Sequence, residues 1–278
     1  MTQRIDLHLH TTCSDGLRTP SEILEEVRSR KLAAFAITDH DTIDGFLETG
    51  ELLKEGDPEL IAGLELSCSA EKGDLHLLAY LFDPDNARLL EALNDFQEKR
   101  NQRGRTMVQR LNDMGITITY DDVLQAAGSA PIGRPHVAEA MHRRKAVATY
   151  DDAFRQYIGD RKPAYVPKAN FTPAEAIDLI HAAGGVAVLA HPMVGGAVDR
   201  IEELVALGID GIEALHPDHK QHQVANLKEI AARFRLIWTG GSDFHGRGGR
   251  CGSVGSEAVP IDCLQQLRLR SSQKRGSD

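Results

Sequence analysis

The sequence predicts an α/β fold built from strand–helix units, a parallel sheet or a barrel that carries a helical insertion. Short apolar strands alternate with amphipathic stretches through residues 1–82 and 168–268, as in a sheet covered by helices. One helix-start grammar, Thr-Pro-x-Glu, recurs in both halves. Between residues 83 and 167 the strand rhythm stops and long helical patterns follow one another.

The first strand is RIDLHLH, with Ile5, Leu7 and Leu9 on one face and Asp6, His8 and His10 on the other. RTPSEILEEVRSRK follows as a helix, with Thr19 as cap, Pro20 in its first turn and Glu22 completing a capping box. LAAFAITDH is the second strand. A helix around Phe46–Glu55 leads to two strand-like runs, LIAGLELSC and DLHLLAYLF. The inserted segment contains ARLLEALNDFQEKRNQRGRTMVQRLNDMG, TYDDVLQAAG, PHVAEAMHRRK and TYDDAFRQYIG, too long a stretch for a structureless loop, and is expected to lie over one end of the α/β core. FTPAEAIDLIHAAGG repeats the capping grammar with Thr172, Pro173 and Glu175. It leads into the strands VAVLAHP, DGIEALHP and LIWTGGSDFH, with helices between them. DCLQQLRLR closes the core, and residues 269–278 are expected to form a flexible tail.

At 278 residues, 41% of them hydrophobic, the chain can bury a full core. A net charge of −9 and a pI near 5.7 exclude binding of duplex DNA or an anionic membrane by bulk electrostatics. The basic run EKRNQRGRTMVQR, with Lys99, Arg100, Arg103, Arg105 and Arg110, is expected to be a solvated helix face, with a shallow track for RNA as the alternative. Cys13, Cys68, Cys251 and Cys263 form no C-x-x-C pair. With no apolar leader or membrane-length run, the expected location is the cytoplasm.

Ionisable residues gather where the predicted strands end: His8 and His10, then Asp15, His40, Glu65, His76, His191, and Asp243 with His245. A lone buried histidine is most simply a hydrogen-bonded core residue. Six histidines, two aspartates and one glutamate at one pole instead supply donors for clustered Zn, Mn or Fe.

This ordered set, H-x-H, TDH, GLE, AHP and SDFH, resembles the polymerase and histidinol phosphatase (PHP) superfamily. The resemblance implies a distorted (β/α)7 TIM-like barrel whose strand ends hold two or three divalent metals and hydrolyse phosphoesters. PIGRPHVAEAM in the insertion is similar to a stretch of the bacterial subgroup acting on nucleoside 3',5'-bisphosphates and short 5'-phosphorylated RNA. Carried over, the family gives one metal to His8, His10, Glu65 and Asp243. A second falls to Asp15, His40 and His245, and a third to Glu65, His76 and His191. Relatives often have His where this chain has Asp15, and the harder oxygen donor favours Mn²⁺, with Fe or Zn as alternatives. Asp6 is expected to support the ligands from behind.

The implied reaction is in-line attack of a metal-bridging hydroxide on phosphorus, with Asp243 and Glu65 holding the reactive ions. Arg134, His136 and Lys168 are candidates to bind a second phosphate, although GRPH also reads as a plain helix start. His216, at the end of DGIEALHP, is a candidate to protonate the leaving oxygen, a role a metal-bound water fills equally well. Expected substrates are bisphosphates of the pAp type and short 5'-phosphorylated oligoribonucleotides. The alternatives are a histidinol-phosphate or other small phosphomonoester phosphatase, and a non-catalytic metal-binding or polymerase-accessory module.

Overall fold

The computed structural model describes residues 3–69, 74–128, 130–168, 171–194, 196–246 and 252–275. Its elements in order are β1 (Arg4–Leu9), α1 (Pro20–Ser29), β2 (Ala34–Ile37), α2 (Asp44–Leu52), β3 (Glu59–Ile61), β4 (Gly63–Ser69) and β5 (Asp74–Tyr80). Then come α3 (Ala87–Asp113), α4 (Tyr120–Ala127), α5 (Arg134–Arg143) and α6 (Tyr150–Ala153). The chain ends with α7 (Pro173–Ala182), β6 (Val186–Leu189), α8 (Ile201–Ala206), β7 (Gly211–Leu215), α9 (Gln221–Phe234), β8 (Ile237–Gly240), β9 (Val259–Pro260) and α10 (Asp262–Arg275). Two compact units result, Met1–Glu91 with Asn170–Asp278, and Ala92–Ala169. The division falls inside α3, some residues beyond the break in strand rhythm at residue 83, because a continuous helix carries the chain across it.

In the α/β unit the strands pair as two sheets, β3-β2-β1-β9 and β4-β5-β6-β7-β8. The pairs β1/β2, β2/β3, β6/β7 and β7/β8 are parallel, whereas β4/β5, β5/β6 and β1/β9 are antiparallel. Single bridges, Leu9 to Phe244 and His40 to Glu65, join one sheet to the other. The run LIAGLELSC, expected as one strand, breaks at Ala62 into β3 and β4, which belong to different sheets. Helix α10 continues as far as Arg275, through most of the stretch expected to be flexible. Cys251 and residues 276–278 lie outside the described residues.

Strand β1 departs from simple alternation. Its register against β2 shifts between Asp6 and Leu9, and such an irregularity re-aims side chains. Ile5 and Leu7 join a core with Leu78, Tyr80, Val186, Val188 and α10, while Leu9 packs with Ile23, Leu24 and Val27 of α1. The Tyr80 hydroxyl, 2.8 Å from the Leu7 carbonyl, donates from the second sheet to the first. Beside β1 the end of β8 comes so close that a Cβ on Gly241 would lie 2.3 Å from the His8 Cβ. Only glycine permits that approach.

The helical unit has its own core, including Met107, Leu111, Val123, Ile132, Val137 and Met141. Thr119 and Thr149 cap α4 and α6 with Asp122 and Asp152 as reciprocal acceptors. The basic run on α3 is not a uniformly solvated face. Arg103 is buried and donates to the Val166 carbonyl, Arg110 donates to that of Tyr165, and Arg105 stacks over Tyr120. Arg103 and Arg110 fasten the segment that leaves the unit, since carbonyls at its irregular backbone need donors. Among the described residues no helix is long and apolar enough to cross a membrane.

Asp6 is a structural keystone of the first sheet. Buried, it accepts the backbone N–H of His8 (3.2 Å), Ser242 (2.9 Å) and Gly255 (2.7 Å), fastening the β8 loop and a distant turn to β1. Asp6→Ala leaves these donors unsatisfied and is expected to cost roughly 3–5 kcal/mol in urea unfolding. Asp6→Asn, which keeps one acceptor, should cost less. Equal stability of the wild type and both variants would show that the three bonds carry no net weight.

Candidate metal centre

The donors converge because strands from both sheets end at one place. His8 lies in β1 and His10 just after it, His40 follows β2, Glu65 lies in β4, His76 in β5, His191 after β6, and Asp243 with His245 after β8. Glu65, fully buried, is the hub. Its Oε2 lies 3.3 Å from His8 Nε2, 3.2 Å from His10 Nε2 and 3.3 Å from His40 Nδ1. Its Oε1 is 3.1 Å from both His76 Nδ1 and His191 Nε2. Asp243 Oδ1 sits 3.3 Å from His8 Nε2 and 3.2 Å from His10 Nε2, and Asp15 Oδ1 is 3.1 Å from His245 Nε2.

These atoms form four overlapping donor groups, each within 4.8 Å: His8, His10, Asp243; His10, Asp15, His40, His245; His8, Glu65, His191; and His40, Glu65, His76. All nine candidate ligands take part. The grouping differs from the expected partition in three respects. Glu65 does not join the group of His8, His10 and Asp243. His10 also belongs with Asp15, and Glu65 groups His76 with His40 and His191 with His8. Buried His10 Nδ1, His40 Nδ1 and His76 Nδ1 form no hydrogen bond among the described residues, even where a carboxylate oxygen is close. Buried donor atoms that converge without hydrogen-bond partners suit a cation and are costly without one.

Charge coupling is strong. Burial works against ionising Glu65, Asp15 and Asp243, but surrounding histidines, His40 first for Glu65 and Asp15 and His8 for Asp243, hold all three well below the ordinary carboxylate range. Burial also opposes the His10 cation, yet bonds to Asp243 and Glu65 carry its pKa up to about 10. His40 goes the other way: burial pushes it down to about 3, against Glu65 and Asp15. The carboxylates are thus anionic, as metal ligands must be.

The loops that carry the donors are pinned from behind. Asp39 accepts Thr11 N (2.7 Å), Thr11 Oγ1 (2.6 Å) and Ser14 Oγ (2.5 Å), fixing the turn that presents Asp15. Asp41, at φ +56°, accepts Ser67 N and Oγ, each at 2.8 Å, so Asp39 and Asp41 bracket His40. Glu213 of β7 is not among the candidate residues named above, although a lone acid inside an apolar strand is a signal. Its Oε1 lies 2.9 Å from His8 Nδ1 and its Oε2 accepts His191 N at 2.8 Å. His216 accepts the Asp218 N–H at Nδ1, so the neutral ring carries its proton on Nε2, 3.3 Å from Asp243 Oδ2.

The three residues proposed for a second phosphate lie in the helical unit. Arg134 opens α5, bonds Asp160 at 2.6 Å and lies over the Tyr165 ring. His136 Nδ1 accepts the Gly133 N–H at 3.1 Å, so GRPH does start a helix. Lys168 ends the described segment before residue 169. Cys13, Cys68 and Cys263 are buried and form no disulfide among the described residues.

A cluster of imidazole and carboxylate donors at strand ends of an α/β unit defines a metal-centred hydrolase. The chain belongs to the PHP domain family, which it matches over residues 6–201. It is 33% identical over 250 residues to a 5'-3' exoribonuclease of Haemophilus influenzae, covering 88% of this chain and 91% of that one. It is 33% identical over 271 residues, 93% of each chain, to a 3',5'-nucleoside bisphosphate phosphatase of Chromobacterium violaceum. A phosphoribosyl 1,2-cyclic phosphate 1,2-diphosphodiesterase of Eggerthella lenta is 32% identical over 90% of this chain and 97% of its own. A solved structure from Bifidobacterium adolescentis, described as a candidate metal-dependent phosphoesterase, superposes with a TM-score of 0.82 at 34% identity over 96% of both chains. The protein is a phosphoric ester hydrolase of this family.

Metal removal gives a direct check. Adding Mn²⁺ to chelator-treated protein at about 100 times its Kd should stabilise it by about 2.7 kcal/mol, read as a rise in Tm. Glu65→Gln should lose more than one equivalent of bound metal by elemental analysis, because Glu65 belongs to two donor groups. Full metal content in that variant would remove Glu65 from the centre.

Proposed function

We propose that the protein removes the 3'-phosphate from nucleoside 3',5'-bisphosphates of the pAp type, leaving a nucleoside 5'-monophosphate and phosphate. By the same cleavage it shortens short 5'-phosphorylated oligoribonucleotides in the 5'-to-3' direction. The observation that carries the hydrolytic part is the convergence of nine donors, Glu65 and Asp243 among them, in four overlapping groups. The nucleotide part is supported by the bisphosphate phosphatase and exoribonuclease relatives. Three divalent ions, preferably Mn²⁺ with Fe or Zn as alternatives, would fit the donors, and Asp15 supplies the hard oxygen that favours Mn²⁺. We also take the two sheets as walls of a distorted (β/α)7 barrel, and the cytoplasm, where the buried thiols stay reduced, as the place of action.

Bound divalent ions would supply Lewis acidity, both to activate water and to neutralise the phosphoryl oxygens. The chain's own groups do the rest. Glu65 and Asp243 hold the reacting end of the site, with His8 and His10 between them. As the P–O3' bond breaks, the departing oxygen needs a proton. His216 is assigned to deliver it from Nε2, acting as the imidazolium formed when Nδ1 takes a proton in place of the Asp218 N–H, and reverting to the neutral ring. Arg134, His136 and Lys168 are assigned to the 5'-phosphate, where a guanidinium can grip two oxygens at once. The acidic chain favours such small anions over duplex DNA or membranes.

The Eggerthella relative supports a second reading, hydrolysis of a cyclic phosphodiester of a phosphorylated sugar. One comparison separates the readings: kcat/KM for pAp, a 5'-phosphorylated trinucleotide, its 5'-hydroxyl counterpart, a ribose 1,2-cyclic phosphate and histidinol phosphate. The first two should lead. Preference for the cyclic ester or histidinol phosphate would overturn the nucleotide assignment. Arg134→Ala should lower kcat/KM roughly 10- to 100-fold for 5'-phosphorylated substrates only, the worth of a charged hydrogen bond. An equal loss on a simple phosphomonoester would reject its role. His8→Ala and Asp243→Ala should abolish turnover while circular dichroism stays unchanged.

A further inference from the structure

Glu213 is fully buried, within β7, and is absent from all four donor groups. Each of its oxygens is nonetheless committed to a different donor residue. Oε1 takes the ring proton of His8 Nδ1 at 2.9 Å, and Oε2 takes the backbone N–H of His191 at 2.8 Å. His8 belongs to β1 in one sheet, whereas Glu213 and the strand leading to His191 belong to the other. One carboxylate therefore ties together donors that arrive from separate sheets.

Two consequences follow from chemistry. A carboxylate only accepts, so the bond to Nδ1 fixes the neutral His8 ring as the tautomer with its proton there. The free lone pair then sits on Nε2, which lies 3.1 Å from His10 Nε2, 3.3 Å from Glu65 Oε2 and 3.3 Å from Asp243 Oδ1. His191 stands at φ +27°, a backbone conformation that an L residue rarely adopts and that needs outside support. The bond from its N–H supplies that support, holding Nε2 3.1 Å from Glu65 Oε1.

We infer that Glu213 is the positioning residue of the centre, setting the His8 tautomer and the His191 backbone together so that two donor groups are formed before an ion arrives. This rests on the reading of the cluster as a metal centre. A carboxylate behind a ligating imidazole typically accounts for a 10- to 100-fold change in metal affinity, and here one carboxylate acts on two ligands.

The test is calorimetric titration of the chelator-treated full chain with Mn²⁺, comparing wild type, Glu213→Gln, Glu213→Ala and the surface control Glu203→Gln. The amide of Glu213→Gln keeps one acceptor but cannot accept from both partners, so its affinity should fall about 10- to 100-fold. Glu213→Ala should fall further, and the control should match wild type. In the metal-free protein, ¹H–¹⁵N spectra should show a His8 Nδ1 proton held in a hydrogen bond in wild type and released from it in Glu213→Ala. A residue that merely stabilised the fold would lower the Tm of the metal-free variants and leave Mn²⁺ affinity and the His8 Nδ1 proton unchanged. That result would overturn the inference while leaving the metal centre in place. Absence of Mn²⁺, Fe²⁺ and Zn²⁺ binding by wild type would overturn both.

Discussion

Everything at the strand ends depends on one fully buried carboxylate, Glu65, facing imidazole nitrogens of His8, His10, His40, His76 and His191 at 3.1–3.3 Å. Desolvating a carboxylate is expensive unless nearby positive charge offsets it. The imidazoles around Glu65 offset part of that cost. A metal cation among the same donors would offset the rest, and this accounts for the presence of so many ionisable groups inside a core. The same constraint explains the layout of the chain. Donors from β1, β4, β5 and the ends of β2, β6 and β8 meet only if both sheets open at the same pole.

Much of this layout was legible in the sequence because it rests on local chemistry. Capping boxes at Thr19 and Thr172 mark the helices they were expected to mark. The clustering of histidines at strand ends is a periodicity argument that survives folding. What stayed hidden depends on contacts distant in sequence. Nothing in IEAL says that Glu213 reaches His8, 205 residues away. Nor does RIDLHLH show that β1 loses register and sends Leu9 to a different core from Leu7. Arg103 looked like surface because arginine usually is, and only the fold reveals the Val166 carbonyl waiting for it.

The grouping of the donors was the least legible part. Ordering residues along the chain tells which are present. Which lie together depends on rotamers and on the hub oxygen that each approaches. His76 and His191 both face Glu65 Oε1, yet each groups with a different histidine. Overlap of this kind means that no donor group is independent of its neighbours, and a change at one ligand propagates through the carboxylate they share.

The buried acids behind the ligands point to a different property. Asp6, Asp39 and Asp41 bind backbone amides and hydroxyls of the very loops that present the donors, through hydrogen bonds that involve no ion. In small zinc modules the ion itself is the scaffold and its loss unfolds the chain. Here the scaffold is organic. The loops keep their shape through fixed hydrogen bonds, so stripping the ions should leave the chain folded.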